Sequence, residues 1–216
     1  MTEERRTITV SGRGRVETPP DLGHISLGVR VTNRDPESGL NISNNRITDI
    51  RDALLDAGVA ADDVALGWFS ITTVYDHVDG RRTFRGYQIS HDLSITVREI
   101  ERTGALLSIA VQAGADDVRG VSFTVEDPSK SIDLARERAF ENARHKAREL
   151  ARMAGLELGT VVSMIERTFE PVPAGRYEMH AMSAPAPASR KLSEVPIDAD
   201  DADFSVSMEV VWEIGQ

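Results

Sequence analysis

Cysteine is absent from this chain of 216 residues, which excludes disulfides, thiolate metal sites and cysteine nucleophiles. Long apolar stretches are also missing. The longest uncharged interior stretch runs from Thr103 to Ala115, too short for the roughly 20 residues that span a bilayer. Positive charge is scarce, because 25 Lys and Arg face 35 Asp and Glu, a formal net charge of −10. We therefore expect no nucleic-acid partner and no membrane insertion, since both are favoured by accumulated basic residues or long apolar helices.

A secretion signal is not visible either. The opening residues, Met1 to Val10, lack an apolar stretch behind a basic start. A signal peptide requires that arrangement, so we expect a cytoplasmic protein. The alternative is a periplasmic or envelope protein whose export signal was removed.

Alternation of apolar and polar residues predicts most of the strands. The pattern is clearest in three segments: Ile25 to Val31, Tyr87 to Val97 and Phe204 to Ile214. A period of two places each apolar set on one face of a sheet. Weaker patterns predict further strands near 7–17, 64–76, 118–126 and 160–168, and Asp79-Gly80 indicates a hairpin turn.

Three helices are predicted from apolar spacing and from their end signals. The first follows Asp35-Pro36 and ends at Gly58, and the second covers 99–113. The third begins at Asp127-Pro128 and ends at Gly155. Its predicted apolar stripe is rich in alanine, and small side chains allow a helix to approach its support closely: Ile132, Ala135, Ala139, Ala143, Ala147, Leu150 and Ala154.

These elements predict an α+β fold in the order ββαββαβαβ. We expect an antiparallel or mixed sheet with three helices packed mainly on one face. Residues 1–216 are interpreted as a single domain.

No catalytic or metal-binding constellation emerges from the residue types. The five histidines lack the close helical spacing of a zinc motif, and no G-x-S-x-G sequence occurs. Gly12-Arg13-Gly14 is followed by a strand and not by the helix that a phosphate loop needs, so a bulge or a close backbone contact is the favoured interpretation. We expect no enzyme activity, no cofactor and no bound metal. His91 falls on the apolar side of the alternation in its strand. It is interpreted either as a core histidine with a backbone partner or as a buried switch or ligand.

The third helix carries seven Lys or Arg and four acids, which favours a solvated face with i,i+4 ion pairs over an RNA-binding or acid-binding one.

The order of several short motifs resembles the SIMPL domain family over roughly residues 7–214. The motifs are Ile8 to Val16 with Gly12 and Gly14, Pro20-Asp21, Gly86-Tyr87, Gly120 to Phe123, the Ala/Arg helix from Ala135 to Ala151, and Gly159. The resemblance implies an α+β domain found in bacterial envelope proteins, one of which forms a large ring-like oligomer. It also implies similarity to a mammalian adaptor associated with a receptor-linked kinase, and a tie to oxidative-stress tolerance. No catalytic residues are implied.

Together these observations predict a non-enzymatic, self-associating protein with a scaffold or stress-related role. The alternative is a monomeric or dimeric module that binds a small ligand or a peptide along an exposed strand edge. A hydrolase that uses scattered Asp and Ser residues is a third, less favoured class, because no activated nucleophile is visible.

Residues 170–200 differ in composition from the rest, since five of the nine prolines lie there. Such a segment does not bury a core of its own. It nevertheless carries side chains typical of interfaces, so we predict an arm that orders against a neighbouring subunit or partner: Tyr177, Met179, His180, Met182 and Leu192. An inert loop before the last strand is the alternative.

Replacement of Pro173 to Val195 by a Gly/Ser linker tests the arm. We expect the domain to stay folded, because the alternating strands lie outside the deletion, while the assembly weakens. Light scattering coupled to gel filtration measures the native mass. An unchanged mass and an unchanged assembly stability would contradict an assembly role for the arm.

Overall fold

The strands and helices of the chain follow in the order ββαββαβαβββ. A computed structural model describes residues 6–78, 80–172, 174–177 and 199–215. Two short 3₁₀ segments, Ala61–Asp63 and Ile100–Arg102, precede β3 and α2. The bounds are β1 Thr7–Thr18, β2 Leu22–Asn33, α1 Pro36–Asp56, β3 Val64–Val78, β4 Arg81–Val97, α2 Thr103–Gln112, β5 Asp117–Thr124, α3 Ser129–Met153, β6 Glu157–Val172, β7 Ala174–Tyr177 and β8 Ala202–Gly215.

The α+β class is confirmed, and the strand pairs with a defined register are antiparallel. The strands divide between two sheets, with the orders β1-β8-β6 and β3-β4-β2-β5-β7. After α3 the chain forms three strands, where the predicted order has one and the alternation patterns predict two, near 160–168 and from Phe204 to Ile214. The last of them, β8, is the strand predicted from Phe204 to Ile214, and it lies between β1 and β6.

The described residues form two compact units. The first draws on Met1–Pro20, Val125–Ala174 and Asp200–Gln216, and the second on Asp21–Thr124 and Gly175–Ala199. The three-stranded sheet and α3 belong to the first unit, while α1, α2 and the first four strands of the five-stranded sheet belong to the second. The interpretation of 1–216 as a single domain stays a prediction.

The core of the second unit is the apolar face of its sheet. The predicted alternation in β2 and β4 is confirmed, since Ile25 pairs with Ile95 and Leu27 with Leu93, and all four side chains are buried. Helix α1 packs on β2 and β4 and buries Ile50 and further apolar residues. The sheet therefore has one face covered by helix, as predicted for an α+β fold.

Helix ends follow their predicted chemistry. The Asp35 carboxylate accepts hydrogen bonds from the N–H of Ser38 at 2.8 Å and from its hydroxyl. These bonds hold the pKa of Asp35 below its usual value. Gly58 and Gly155 follow α1 and α3 at φ values of 89° and 71°, the left-handed conformation that terminates a helix.

The alanine stripe of α3 packs on the three-stranded sheet, but its C-terminal end differs from the prediction. Ala151 is buried, whereas Leu150 and Ala154 are exposed. Consecutive helical residues point about 100° apart, so Leu150 turns away from the sheet when Ala151 faces it. Ala154 lies beyond the last helical residue, Met153.

Gly12 and Gly14 of β1 let α3 approach the sheet at backbone distance. A Cβ atom on Gly12 would lie 2.0 Å from the carbonyl oxygen of Ala139, and one on Gly14 would lie 2.0 Å from that of Ala135. Any side chain at these positions would push the helix away. The close-contact interpretation of Gly12-Arg13-Gly14 is confirmed.

A Gly14→Ala substitution tests this contact. We expect the free energy of unfolding to fall by about 2 kcal/mol, because overpacking a tight contact forces a backbone shift. Urea denaturation measures the change. Ser11→Ala in the same strand is the matched control, since Ser11 is exposed, and we expect a change within about 0.5 kcal/mol. Equal stability of the two variants would contradict the close-packing account.

Candidate functional site

The candidate interaction sites of this fold are the edge strands of its two sheets. The outer strands are β1 and β6 in one sheet, and β3 and β7 in the other. An edge strand presents backbone N–H and C=O groups without a neighbouring strand, which other chains can use for pairing. The three long edge strands, β1, β6 and β3, differ in whether side chains, bulges or charges protect these backbone groups.

Side chains of α3 close the β1 edge. Arg138 donates a hydrogen bond to the carbonyl oxygen of Arg15 at 2.6 Å, and Lys146 donates to that of Ser11 at 2.9 Å. Between them, the side-chain oxygen of Asn142 accepts from the backbone N–H of Arg13 at 3.2 Å. The helical spacing of four thus matches alternate residues of the strand. The carbonyl groups of Ser11 and Arg15 and the N–H of Arg13 are thus satisfied within the molecule.

The solvated face of α3 carries ion pairs, but those described within the helix have i,i+3 spacing and not the predicted i,i+4 spacing. Arg136 bridges Asp133 on the helix and Glu166 on β6, each at 2.9 Å, and hydrogen bonds to Glu166 and then Asp133 hold its pKa above the usual value. Arg144 pairs with Glu141 at 2.6 Å. The sequence pattern identified the paired charges but not the capping of β1, because that role depends on which strand lies beneath the helix.

The β6 edge exposes apolar side chains that sequence reasoning missed. Val161, Val162, Met164 and Ile165 are 44% to 57% exposed. The register with β8 shifts at three points along the strand, however, and the charges of Glu166 and Arg167 flank the apolar residues. Bulges and edge charges are devices that protect a sheet edge from pairing.

The β3 edge exposes a larger apolar surface. Leu66, Trp68, Phe69 and Ile71 are 42% to 62% exposed. Three of them share a sheet face with buried residues, because Leu66 pairs with Leu93, Phe69 with His91 and Ile71 with Ile89. The apolar face therefore continues one strand beyond the two strands on which α1 packs. A sequence signal for this surface exists in retrospect, since no charged residue occurs from Val64 to Tyr75.

Beyond β2, strands β3 and β4 continue as a two-stranded ribbon. The last residue of β2 paired with β4 is Asn33, opposite Tyr87. Phe84 lies edge-on to both Tyr75 and Tyr87, with ring centroids 5.8 and 5.4 Å apart, and the Arg82 guanidinium stacks over Tyr75 at 4.1 Å. These contacts stiffen the ribbon and extend the aromatic surface of β3.

His91 occupies the apolar face next to this edge. Its ring meets Phe69 edge-on, with centroids 5.2 Å apart. Its Nδ1 atom is buried and has no hydrogen-bond partner among the described residues. The interpretation of His91 as a core histidine with a backbone partner stays a prediction, and its neighbours across the sheet are Val29 and Phe69, both apolar.

The opposite face of the five-stranded sheet carries a charged network around Asp92. This buried carboxylate receives a forked pair of hydrogen bonds from Arg119, which sits in a β-bulge between Val118 and Gly120. Arg119 also lies 3.4 Å from Asp117, which pairs with Arg30 at 2.9 Å. Partial burial acts to lower the pKa of Arg119, but the hydrogen bonds and charges of Asp92 and Asp117 outweigh it and hold that pKa above its usual value.

A shallow groove of about 320 Å³ lies beside this network. Its polar lining includes His24, Ser26, Ser94, Arg119 and Ser122. His24 Nε2 contacts the Thr124 hydroxyl at 2.9 Å, and the described residues show no chain from serine through histidine to a carboxylate. The groove thus offers polar contacts for a small ligand without an activated nucleophile.

The remaining predicted features have these outcomes. Among the described residues, no group of three or more His, Asp or Glu side chains is placed to hold a metal ion. No helix in the described ranges is both long and apolar enough to cross a membrane. Of the predicted arm, Tyr177 ends β7, whereas Met179, His180, Met182 and Leu192 lie outside the described residues.

Comparison with known proteins identifies the family. The profile of the SIMPL family, a protein family of unknown function also designated DUF541, matches residues 8–212. The chain belongs to the SIMPL family. The resemblance predicted from Gly12, Gly14 and the Ala/Arg helix is confirmed.

The relatives of this SIMPL chain cover nearly all of its length. The 26 kDa periplasmic immunogenic protein of Brucella melitensis is 32% identical over 221 residues, which span 99% of this chain and 87% of that protein. The Brucella abortus protein of the same name has the same identity and coverage. The uncharacterised protein YggE of Escherichia coli K12 is 29% identical over 90% of this chain and 79% of its own. The periplasmic names conflict with the predicted cytoplasmic location, which these relatives do not support.

Removal of the Asp92 carboxylate tests the charged network. Asp92→Ala leaves the Arg119 guanidinium without its carboxylate partner, next to a buried position. Because that arginine side chain is 39% exposed, we expect a loss of about 2 kcal/mol, less than the roughly 3–5 kcal/mol of a fully buried pair. Glu149→Ala, which breaks the exposed pair with Arg152, is the control, and we expect it to lose much less stability than Asp92→Ala because solvent screens an exposed pair. Denaturant titration compares the two variants, and equal losses would show that the network is not structural.

Proposed function

We propose that this SIMPL chain is a non-enzymatic protein that associates with copies of itself and acts as a scaffold. The observation that carries the proposal is the exposure of large apolar side chains along β3 and β6. Contiguous apolar surface of this kind marks interaction sites on soluble proteins. A stress-related role is the part of the proposal that rests on the family resemblance alone.

The energetics favour association through a surface of several side chains. Burial of a half-exposed large apolar side chain contributes about 1 kcal/mol, half of the value for full burial. Association costs at least several kcal/mol of translational and rotational freedom. A single residue is therefore insufficient, whereas the four exposed residues of β3, contributed by each of two copies, reach the required scale.

The chemistry of the polar groove does not favour an enzyme. Its arginine, Arg119, is engaged by Asp92 and Asp117, and His24 contacts a threonine. The groove does support the alternative class, a module that binds a small ligand, and the β3 edge equally suits an added peptide strand. Native mass separates both alternatives from self-association.

We also place the protein in the periplasm, in agreement with the names of the two Brucella relatives. This location replaces the cytoplasmic expectation. The absence of cysteine is compatible with either compartment, because it leaves no thiol to oxidise.

Light scattering coupled to gel filtration tests self-association. We expect a mass of at least twice the 23.7 kDa of one chain at micromolar concentration, because the exposed strands are buried between copies. Dilution into the nanomolar range is the control, since a specific assembly dissociates by mass action. A mass of 23.7 kDa at every concentration would contradict the proposal and favour the ligand-binding or peptide-binding module.

A further inference from the structure

Of the two exposed long edges, β3 is less protected than β6, which makes it the candidate for pairing between copies. Side chains of α3 close the β1 edge, and three register shifts with nearby charges interrupt β6. Between Val64 and Tyr75 strand β3 contains no Lys, no Pro and no charge of either sign. Its two register shifts, after Leu66 and after Val74, leave the stretch between them regular.

The geometry of β3 also suits strand addition. From Phe69 to Val74 its register with β4 is uninterrupted, so these residues form a regular edge between two bulges. In the described part of the chain no strand lies beyond β3. A regular stretch of this length matches an ordinary β-strand of about five or six residues.

We propose that two copies pair through antiparallel β3 strands about a two-fold axis, which joins their five-stranded sheets into one. This inference rests on the proposed function and assigns its contact. A two-fold contact uses the same patch on both copies, so the patch must be complementary to itself. The uncharged strand meets this requirement, because a chain with a net charge of −10 approaches its copy with least repulsion where it carries no charge.

The side-chain faces restrict the register of this pair. Residues that pair across the axis must lie on the same face, and Phe69 and Ile71 lie on the face of His91 and Ile89. The registers centred on Ser70 and on Ile71 satisfy this condition and bring the exposed apolar residues of both copies together. The apolar face that now ends at β3 would then continue into the face of the second copy.

The first experiment compares matched charge substitutions on the two exposed edges. The β3 variant combines Phe69→Lys and Ile71→Lys, and the β6 variant combines Val162→Lys and Met164→Lys. All four side chains are 42% to 57% exposed, so each variant adds two charges at comparable positions. We expect the β3 variant to weaken the dimer at least about 100-fold, because charges opposite each other in an edge pair repel. The β6 variant should remain at least dimeric.

A second experiment tests the register directly. Its readout is the gain of a covalent bond between two copies, which unfolding of a variant does not imitate. Because the chain has no cysteine, Ser70→Cys and Ile71→Cys each introduce a single thiol. Directly opposite residues in a sheet bring their Cβ atoms to about 4.5–5.5 Å, and mild oxidation can then join the copies. We expect a covalent dimer from at least one of these variants and none from Ser163→Cys on β6.

The outcomes separate this inference from the proposed function. A monomeric wild-type chain would overturn both. A wild-type oligomer that survives the β3 lysines as a dimer, or that dissociates to monomers equally with both lysine variants, would overturn β3 pairing and leave self-association intact. Failure of both β3 cysteines to cross-link in an oligomeric protein would overturn it as well. Circular dichroism and thermal unfolding of each variant establish that the chains compared are folded.

Discussion

Every strand at the edge of a sheet leaves backbone donors and acceptors that need a partner, and this constraint organises the SIMPL chain. The fold has two sheets and therefore several edges to close. It closes β1 with polar side chains of its own helix, and it interrupts β6 with bulges and charges. Strand β3 also has two register shifts, but from Val64 to Tyr75 it has neither the side-chain capping of β1 nor the charges of β6, and that difference carries the functional argument.

The closure of β1 depends on the tight packing of α3. Gly12 and Gly14 have no Cβ, and the facing alanines are small, so the helix backbone contacts the strand. Only at this distance do side chains such as Arg138 and Lys146 reach the outer carbonyl groups of β1. The glycines and the Ala/Arg helix by which the family is recognised therefore belong to one structural device.

The two faces of the five-stranded sheet have different chemistry. One face is apolar and continues past the cover of α1 to Phe69 and Ile71. The other holds Asp92 and Arg119 in a forked ion pair beside a polar groove. Charge in this network is balanced internally, which suits a structural role, whereas the apolar face leaves large side chains of β3 exposed.

Local sequence signals determined the elements of this protein. Alternation predicted β2, β4 and β8, and Asp35, Gly58 and Gly155 placed the helix ends, because strand period and helix capping depend on neighbours in the chain. The close approach of α3 to its support also followed from the alanine spacing, whereas the structure alone placed Gly12 and Gly14 beneath the helix. The family followed from the order of these motifs.

Only the tertiary structure decided which strands lie at an edge. The division into two sheets, the capping of β1 by α3 and the contact of Arg119 with Asp92 join residues far apart in sequence. The sequence displayed Leu66, Trp68, Phe69 and Ile71 as an ordinary apolar strand. Their exposure became visible only when β3 proved to be the outermost strand, because burial depends on long-range pairing that no local pattern encodes.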